Sequence, residues 1–175
     1  MPRTDGVTAE IHGFSEPGSR PVPWETGLEQ VAAADTSWIS TVRPDGRPHV
    51  TPLITVWHDD AVWFTTGPDE RKARNLLRQQ AVVLTTGRSD LGGDGLDVVL
   101  EGRAERVDDP ARLQGVADAF TAKYGTRPWH FVVRDGVLVH AELDGPVLAF
   151  CVRPVRGLGF RKGAHSSQTT WTFPS

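Results

Sequence analysis

Trp38-Ile39-Ser40-Thr41-Val42, Pro44-Asp45-Gly46, His49-Val50-Thr51-Pro52-Leu53-Ile54-Thr55-Val56-Trp57 and Ala61-Val62-Trp63-Phe64-Thr65-Thr66 follow one another in the chain. They read strand, turn, strand, short turn, strand. The first segment alternates apolar and hydroxyl side chains, as a half-buried strand does. Pro44 presets one turn dihedral and Gly46 accepts a positive one, so the next run returns antiparallel. Asp59-Asp60 makes the second turn. The third strand ends in two hydroxyls and Gly67-Pro68, and Asp69-Glu70-Arg71-Lys72-Ala73-Arg74-Asn75-Leu76-Leu77 then opens an amphipathic helix. Thr65 and Thr66 can donate hydroxyl bonds, Arg71 can fork onto two oxygens, and Lys72 adds a point charge. A strand end of this kind facing a basic helical turn is predicted to hold a phosphate, helped by the free amides of the helix start.

Outward from this stretch, residues 1–23 are polar and rich in Gly and Pro, and read as an N-terminal tail or arm. Residues 24–175 read as one domain, as the length implies. Trp24, Leu28, Val31 and Ala32 lie at helical spacing and predict a helix packed on a sheet. In the helix after Thr66, Leu76 and Leu77 are expected to face inward. Ala81–Thr86 is a fourth strand, and Ser89 to Gly95 a glycine-rich loop lacking a phosphate-cradling motif. Leu96–Val107 is a long strand, with Gly102 marking a bulge or bend. Asp109 caps a helix that Pro110 opens, Leu113, Val116, Ala117 and Phe120 form its buried face, and Gly125 closes it. His130–Val133, Val137–His140 and Val147–Val152 are further strands, the last expected to stop near Pro154.

The chain has 175 residues with 18 Gly, 13 Pro and 6 Trp, a composition that favours a turn-rich β architecture. Its formal net charge is −3 and its pI about 6.0, which argues against nucleic acid or an anionic membrane as partner. No apolar run approaches the length of a membrane span and no signal-peptide core is present, so a cytoplasmic location is expected. Cys151 is the one cysteine; it precludes an intrachain disulfide or a Cys-rich zinc site, and its apolar neighbours read as core. The six histidines show no metal spacing and no nucleophile elbow occurs.

Gly46-Arg47-Pro48-His49-Val50-Thr51-Pro52, Phe64-Thr65-Thr66-Gly67, Arg71-Lys72-Ala73-Arg74-Asn75-Leu76, Glu101-Gly102-Arg103-Ala104, Lys123-Tyr124-Gly125 and Ser167-Gln168-Thr169 with Trp171 and Phe173 together resemble the pyridoxamine 5′-phosphate oxidase-like family, in its small actinobacterial-type members. The resemblance runs from about residue 21 to the end. It implies a mainly β fold: a six-stranded antiparallel Greek-key split β-barrel that binds flavin mononucleotide (FMN), with a few peripheral helices. It further implies a homodimer with cofactor sites at the interface, passing hydride through the flavin N5 to or from an unidentified small organic substrate.

The resemblance assigns His49, Val50, Thr51 and Pro52 to the flavin ring and Thr65, Thr66, Arg71 and Lys72 to the phosphate. Asn75, Gln168, Thr169 and Trp171 complete the implied cofactor set. Trp171 stacks on the ring, seals the dimer seam, or is a core tryptophan. Thr170 and Thr172 stand where the family usually has arginines, which weakens the tail's claim on an anion. Pyridoxamine phosphate is not expected as substrate, since no second cluster of phosphate-binding residues occurs. A deazaflavin-dependent reductase, with Arg161 and Lys162 as extra cations, and a non-catalytic flavin or haem binder are the alternatives.

Overall fold

A computed structural model describes residues 6–87, 95–163 and 165–174; all but the last residue of the loop expected over 89–95 lies outside them. In chain order the elements are β1 (Thr8–Ile11), α1 (Trp24–Ala33), β2 (Ser37–Val42), β3 (Pro48–Leu53), β4 (Val56–His58), β5 (Ala61–Thr66), α2 (Arg71–Leu76), β6 (Ala81–Thr85), β7 (Leu96–Val107), α3 (Pro110–Tyr124), β8 (Phe131–Arg134), β9 (Val137–His140), β10 (Gly145–Pro146), β11 (Leu148–Arg161) and β12 (Ser167–Thr172).

Local chemistry explains the opening elements. Gly46 takes φ 82° in the β2–β3 turn, and the two strands pair antiparallel from Ser37↔Leu53 to Val42↔Pro48. Asp59 and Asp60 adopt φ 49° and 53°, the left-handed pair that a two-residue hairpin needs, and β4 folds back on β5 from Val56↔Trp63. The run expected as one strand over His49–Trp57 therefore breaks at Ile54-Thr55, because its halves serve different partners. Within the segment expected as an arm, Thr8–Ile11 pairs antiparallel with Thr169–Thr172 of its own chain.

The expected six-stranded antiparallel Greek-key split barrel is overturned. The main sheet has nine strands among the described residues, in the order β1-β12-β11-β7-β6-β2-β3, with β5 branching from β11 and β4 from β5. Its end strands β1 and β3 do not pair with each other, so the sheet stays open. A separate three-stranded sheet runs β10-β9-β8. The cause is β11, which continues through Pro154 instead of stopping there. Pro154 falls between the β5 pairing that ends at Val152 and the β12 pairing that begins at Arg156, where that edge needs no amide. The register against β7 slips between Pro154 and Arg156. Opposite the slip, a Cβ on Gly102 would lie 2.7 Å from the Arg153 carbonyl oxygen, so the close approach of β7 and β11 requires glycine there.

The helices are not peripheral either. The β5 and β11 side chains alternate between two cores. Val62, Phe64, Phe150 and Val152 face the first, which α1 closes with Trp24, Leu28 and Val31. Ala61, Trp63, Ala149 and Cys151 face the second, which α3 closes with Leu113, Val116, Ala117 and Phe120. A strand buried on both faces explains the unbroken apolar run Ala61–Phe64. The α3 ends follow expectation: the Asp109 carboxylate accepts the Arg112 amide at 2.9 Å, and Gly125 follows with φ 76°. The Lys123 ammonium donates to the Ala34 and Thr55 carbonyls, both at 2.8 Å. That ties the end of α3 to the chain on either side of Thr36 and Ile54. No described helix is long and apolar enough to cross a membrane.

Candidate functional site

A cavity of about 600 Å³ opens where the C-terminal end of β5 meets the three-stranded sheet. One wall comes from the residues that open the chain's hairpins and α2: Thr36, Pro52, Leu53, Ile54, Thr65, Thr66, Gly67, Glu70 and Lys72. The other comes from β8–β10 and their flanks: Trp129, Phe131, His140, Leu143, Gly145, Pro146 and Val147. The register Phe131↔His140 places these two side by side, and Leu148↔Thr66 brings the start of β11 to the end of β5.

The polar groups concentrate at the β5–α2 junction. Helical phase turns Lys72, Ala73, Asn75 and Leu76 inward, leaving Arg71 and Arg74 outside. The Lys72 side chain is 8% exposed and pairs with the Glu70 carboxylate. The Gly67 amide donates to Glu70 Oε1 at 2.8 Å, and the neighbouring Thr66 hydroxyl donates to the Gly67 carbonyl at 3.3 Å. Burial pushes the Glu70 carboxyl up, but Lys72, the Gly67 amide and Thr66 together hold it below its ordinary value of 4.5. An amide and an ammonium from two elements thus converge on one anionic group, with the Thr66 hydroxyl beside them.

Of the twelve residues expected around the cofactor, Pro52, Thr65, Thr66 and Lys72 line the cavity. Arg71 is solvent-facing on α2 and does not line it. His49 and Asn75 form a network on the inner face of β2–β3. Thr41 Oγ1 and His49 Nδ1 lie 3.4 Å apart, and Asn75 Nδ2 donates to Thr41 Oγ1 at 2.9 Å. Burial, with Arg43, Arg71 and Lys72 nearby, holds the His49 imidazole below its ordinary value. Thr51 Oγ1, Asn75 Oδ1 and Arg43 Nε are buried without a hydrogen-bond partner among the described residues. Val50 lies on the outer face of the sheet, 53% exposed.

The tail is elsewhere. Thr169 is buried and accepts the Val22 amide at 2.9 Å. The Gln168 backbone holds Ser15 and His12. Trp171 is fully buried in the first core, where its Nε1 donates to the Val22 carbonyl at 2.7 Å. Of its three readings, this is the core tryptophan. Arg161 and Lys162 lie at the far end of β11 from the cavity, and Lys162 pairs with Asp97 at 2.5 Å. Among the described residues no three His, Cys, Asp or Glu gather to hold a metal.

Sequence reasoning missed the second wall. His140 accepts the amides of Glu142 and Leu143 at Nδ1, both at 3.3 Å. That fixes its ring, and in the neutral form makes Nε2 the remaining donor. Trp129 and Phe131 stand edge-on to it, with ring centroids 6.4 and 5.5 Å away. Neither Pro128-Trp129 nor the Phe131↔His140 pair forms a motif; only strand pairing brings them to the cavity.

Comparison with known proteins follows this geometry. A family model described as pyridoxamine 5′-phosphate oxidase matches residues 25–157. No curated protein matches at a significant level. Among solved structures, the chain is similar to a conserved hypothetical protein of Mycobacterium tuberculosis, with 20% identity and TM-score 0.65 over 87% of this chain and 89% of that one. It is similar to a Clostridium acetobutylicum protein described as related to general stress protein 26 and of the pyridoxinephosphate oxidase family. The identity there is 17% and the TM-score 0.61, over 85% of this chain and 93% of that one. It is also similar to an F420 reductase, with 23% identity and TM-score 0.55 over 74% of this chain and 93% of that one.

Proposed function

The chain belongs to the pyridoxamine 5′-phosphate oxidase family, and from that membership we propose that it is an FMN-dependent oxidoreductase acting on a small organic substrate. The reading rests most on one observation: the Gly67 amide and the Lys72 ammonium converge on a single carboxylate at the cavity's edge, with the Thr66 hydroxyl beside them. Donors preorganised around one anion suit the phosphate of FMN, which carries about −1.5 to −2 charge near neutral pH. The apolar lining from Leu53, Ile54, Phe131 and Val147 suits a flat, hydrophobic ring. Bound FMN would supply the redox chemistry, accepting or giving a hydride with its electron pair.

The protein's own groups bind, orient and exclude water. Lys72 and the β5 terminus hold the phosphate end; Pro52, Leu53 and Ile54 support the ring. Trp129 and Phe131 shield the opposite side, where His140 Nε2 is placed to donate to an acceptor on the substrate.

We propose also that a second copy of the chain covers the outer face of β2–β3. Trp38 and Val50 are 43% and 53% exposed there, on neighbouring strands, and β3 is a free edge of the sheet. An apolar face beside an unpaired edge is a surface that soluble proteins normally cover.

Titration of the purified protein with FMN and with riboflavin tests the cofactor. FMN is expected to bind more tightly, with the bound flavin reducible by a nicotinamide donor; equal affinities would remove the phosphate from the β5–α2 junction. The FMN-loaded protein is expected to sediment at twice the 19.1 kDa chain mass. A single-chain mass would contradict the second copy.

A further inference from the structure

We propose that Glu70 is a built-in stand-in for the ligand's phosphate: its carboxylate occupies the anion-binding donors and must swing out before a phosphate monoester can enter. The inference rests on the placement of the ligand's phosphate at the β5–α2 junction.

Glu70 holds the N-cap position of α2, with extended backbone at φ −68° and ψ 150°, yet its side chain bonds no amide of that helix. It turns back instead to the Gly67 amide and the Lys72 ammonium, with the Thr66 hydroxyl next to them on the Gly67 carbonyl. Those are the donor types a phosphate monoester needs, and an acidic side chain satisfies them within the chain itself.

The pair is asymmetric in a way that decides which partner moves. The Lys72 side chain is 8% exposed and that of Glu70 50%. The ammonium is fixed by packing, while the carboxylate has open solvent to rotate into. A phosphate arriving with Glu70 still in place would share its donors with a like charge, which disfavours both anions. Moved outward, Glu70 becomes an ordinary solvated carboxylate and Lys72 regains its full charge for the ligand. Glu70 thereby sets the affinity for the anionic end and leaves the ring's affinity alone.

The experiment measures dissociation constants for FMN, for riboflavin, and for inorganic phosphate as competitor of FMN, in the intact protein and in Glu70→Gln and Glu70→Ala. Glu70→Gln keeps the side chain's size and an acceptor for the Gly67 amide, so it guards against a folding defect in the alanine variant. Both variants are expected to bind FMN and phosphate on the order of tenfold more tightly, with riboflavin unchanged. Unchanged or weaker FMN binding in folded variants, against an intact protein that prefers FMN to riboflavin, overturns the displacement alone. An intact protein that binds the two flavins equally overturns the phosphate placement and this inference with it.

Discussion

Replacing Lys72 by alanine is expected to weaken FMN binding by about 1.5–3 kcal/mol, roughly ten- to 150-fold, and to leave riboflavin nearly unaffected. Among the described residues, Lys72 is the one lysine or arginine that lines the cavity. Its charge-assisted bond has no understudy, because Arg71 faces solvent on the neighbouring helical position. The loss should lie toward the upper end of that range. Without the ammonium, the phosphate keeps only the neutral donors at the end of β5. The measurement is a pair of fluorescence titrations on the variant, with thermal unfolding as the control for folding. Equal losses for both flavins would mean that Lys72 acts on the ring or on the fold, and that the phosphate lies elsewhere.

The second large effect is on stability. Trp171→Ala is expected to cost about 3–5 kcal/mol, a large share of the roughly 5–15 kcal/mol that holds a domain folded. Trp171 lies against three glycines. A Cβ on Gly27, Gly157 or Gly159 would meet its ring at 2.8, 2.9 or 2.4 Å, so the surrounding backbone is shaped to the indole and cannot close over its absence. Trp24 stands edge-on with ring centroids 5.3 Å apart, and the Nε1 bond to Val22 pins the approach to α1. Trp171→Phe retains most of the packing but leaves the Val22 carbonyl unpaired, at a cost of about 1–3 kcal/mol. Urea unfolding of the three proteins should rank them intact, Phe, Ala, with FMN affinity of the folded protein unchanged. A variant of full stability with lost FMN affinity would place Trp171 at the cofactor.

These residues show how far the sequence could be read. The β2–β3 hairpin was legible because Gly46 and the alternation around it act locally. So was α3, whose Asp109 cap, Gly125 stop and apolar stripe all lie within its own span. The proposed phosphate junction was half legible: Thr65-Thr66-Gly67 followed by Arg71-Lys72 reads as an anion site. Which of two adjacent basic residues turns inward depends on helical phase, and phase is set by how Ala73 and Leu76 dock on the sheet. The same docking turns Leu77 out, at 78% exposure, against expectation.

The open sheet was not legible because a proline ordinarily ends a central strand. Here it falls at the one place in β11 where the partner on one edge changes from β5 to β12, and only tertiary pairing reveals that. Trp171 was left between three readings for a related reason. With the strand before it expected to stop near Pro154, no partner strand was in sight for Ser167–Thr172, and nothing local chose the core over the ring or the seam. The wall of Trp129, Phe131 and His140 had no local signature. Glu70 was read only as part of the helix opening, and nothing local says that its carboxylate turns back to Gly67 and Lys72.

The central claim is that the junction of β5 and α2 receives a phosphate monoester. A crystal structure of the protein with FMN tests it most directly. The account predicts phosphate oxygens within hydrogen-bond distance of Thr66 Oγ1, the Gly67 amide and Lys72 Nζ, with the Glu70 carboxylate rotated away from all three. Phosphate bound anywhere else, with Glu70 still held by Lys72 and Gly67, would contradict it.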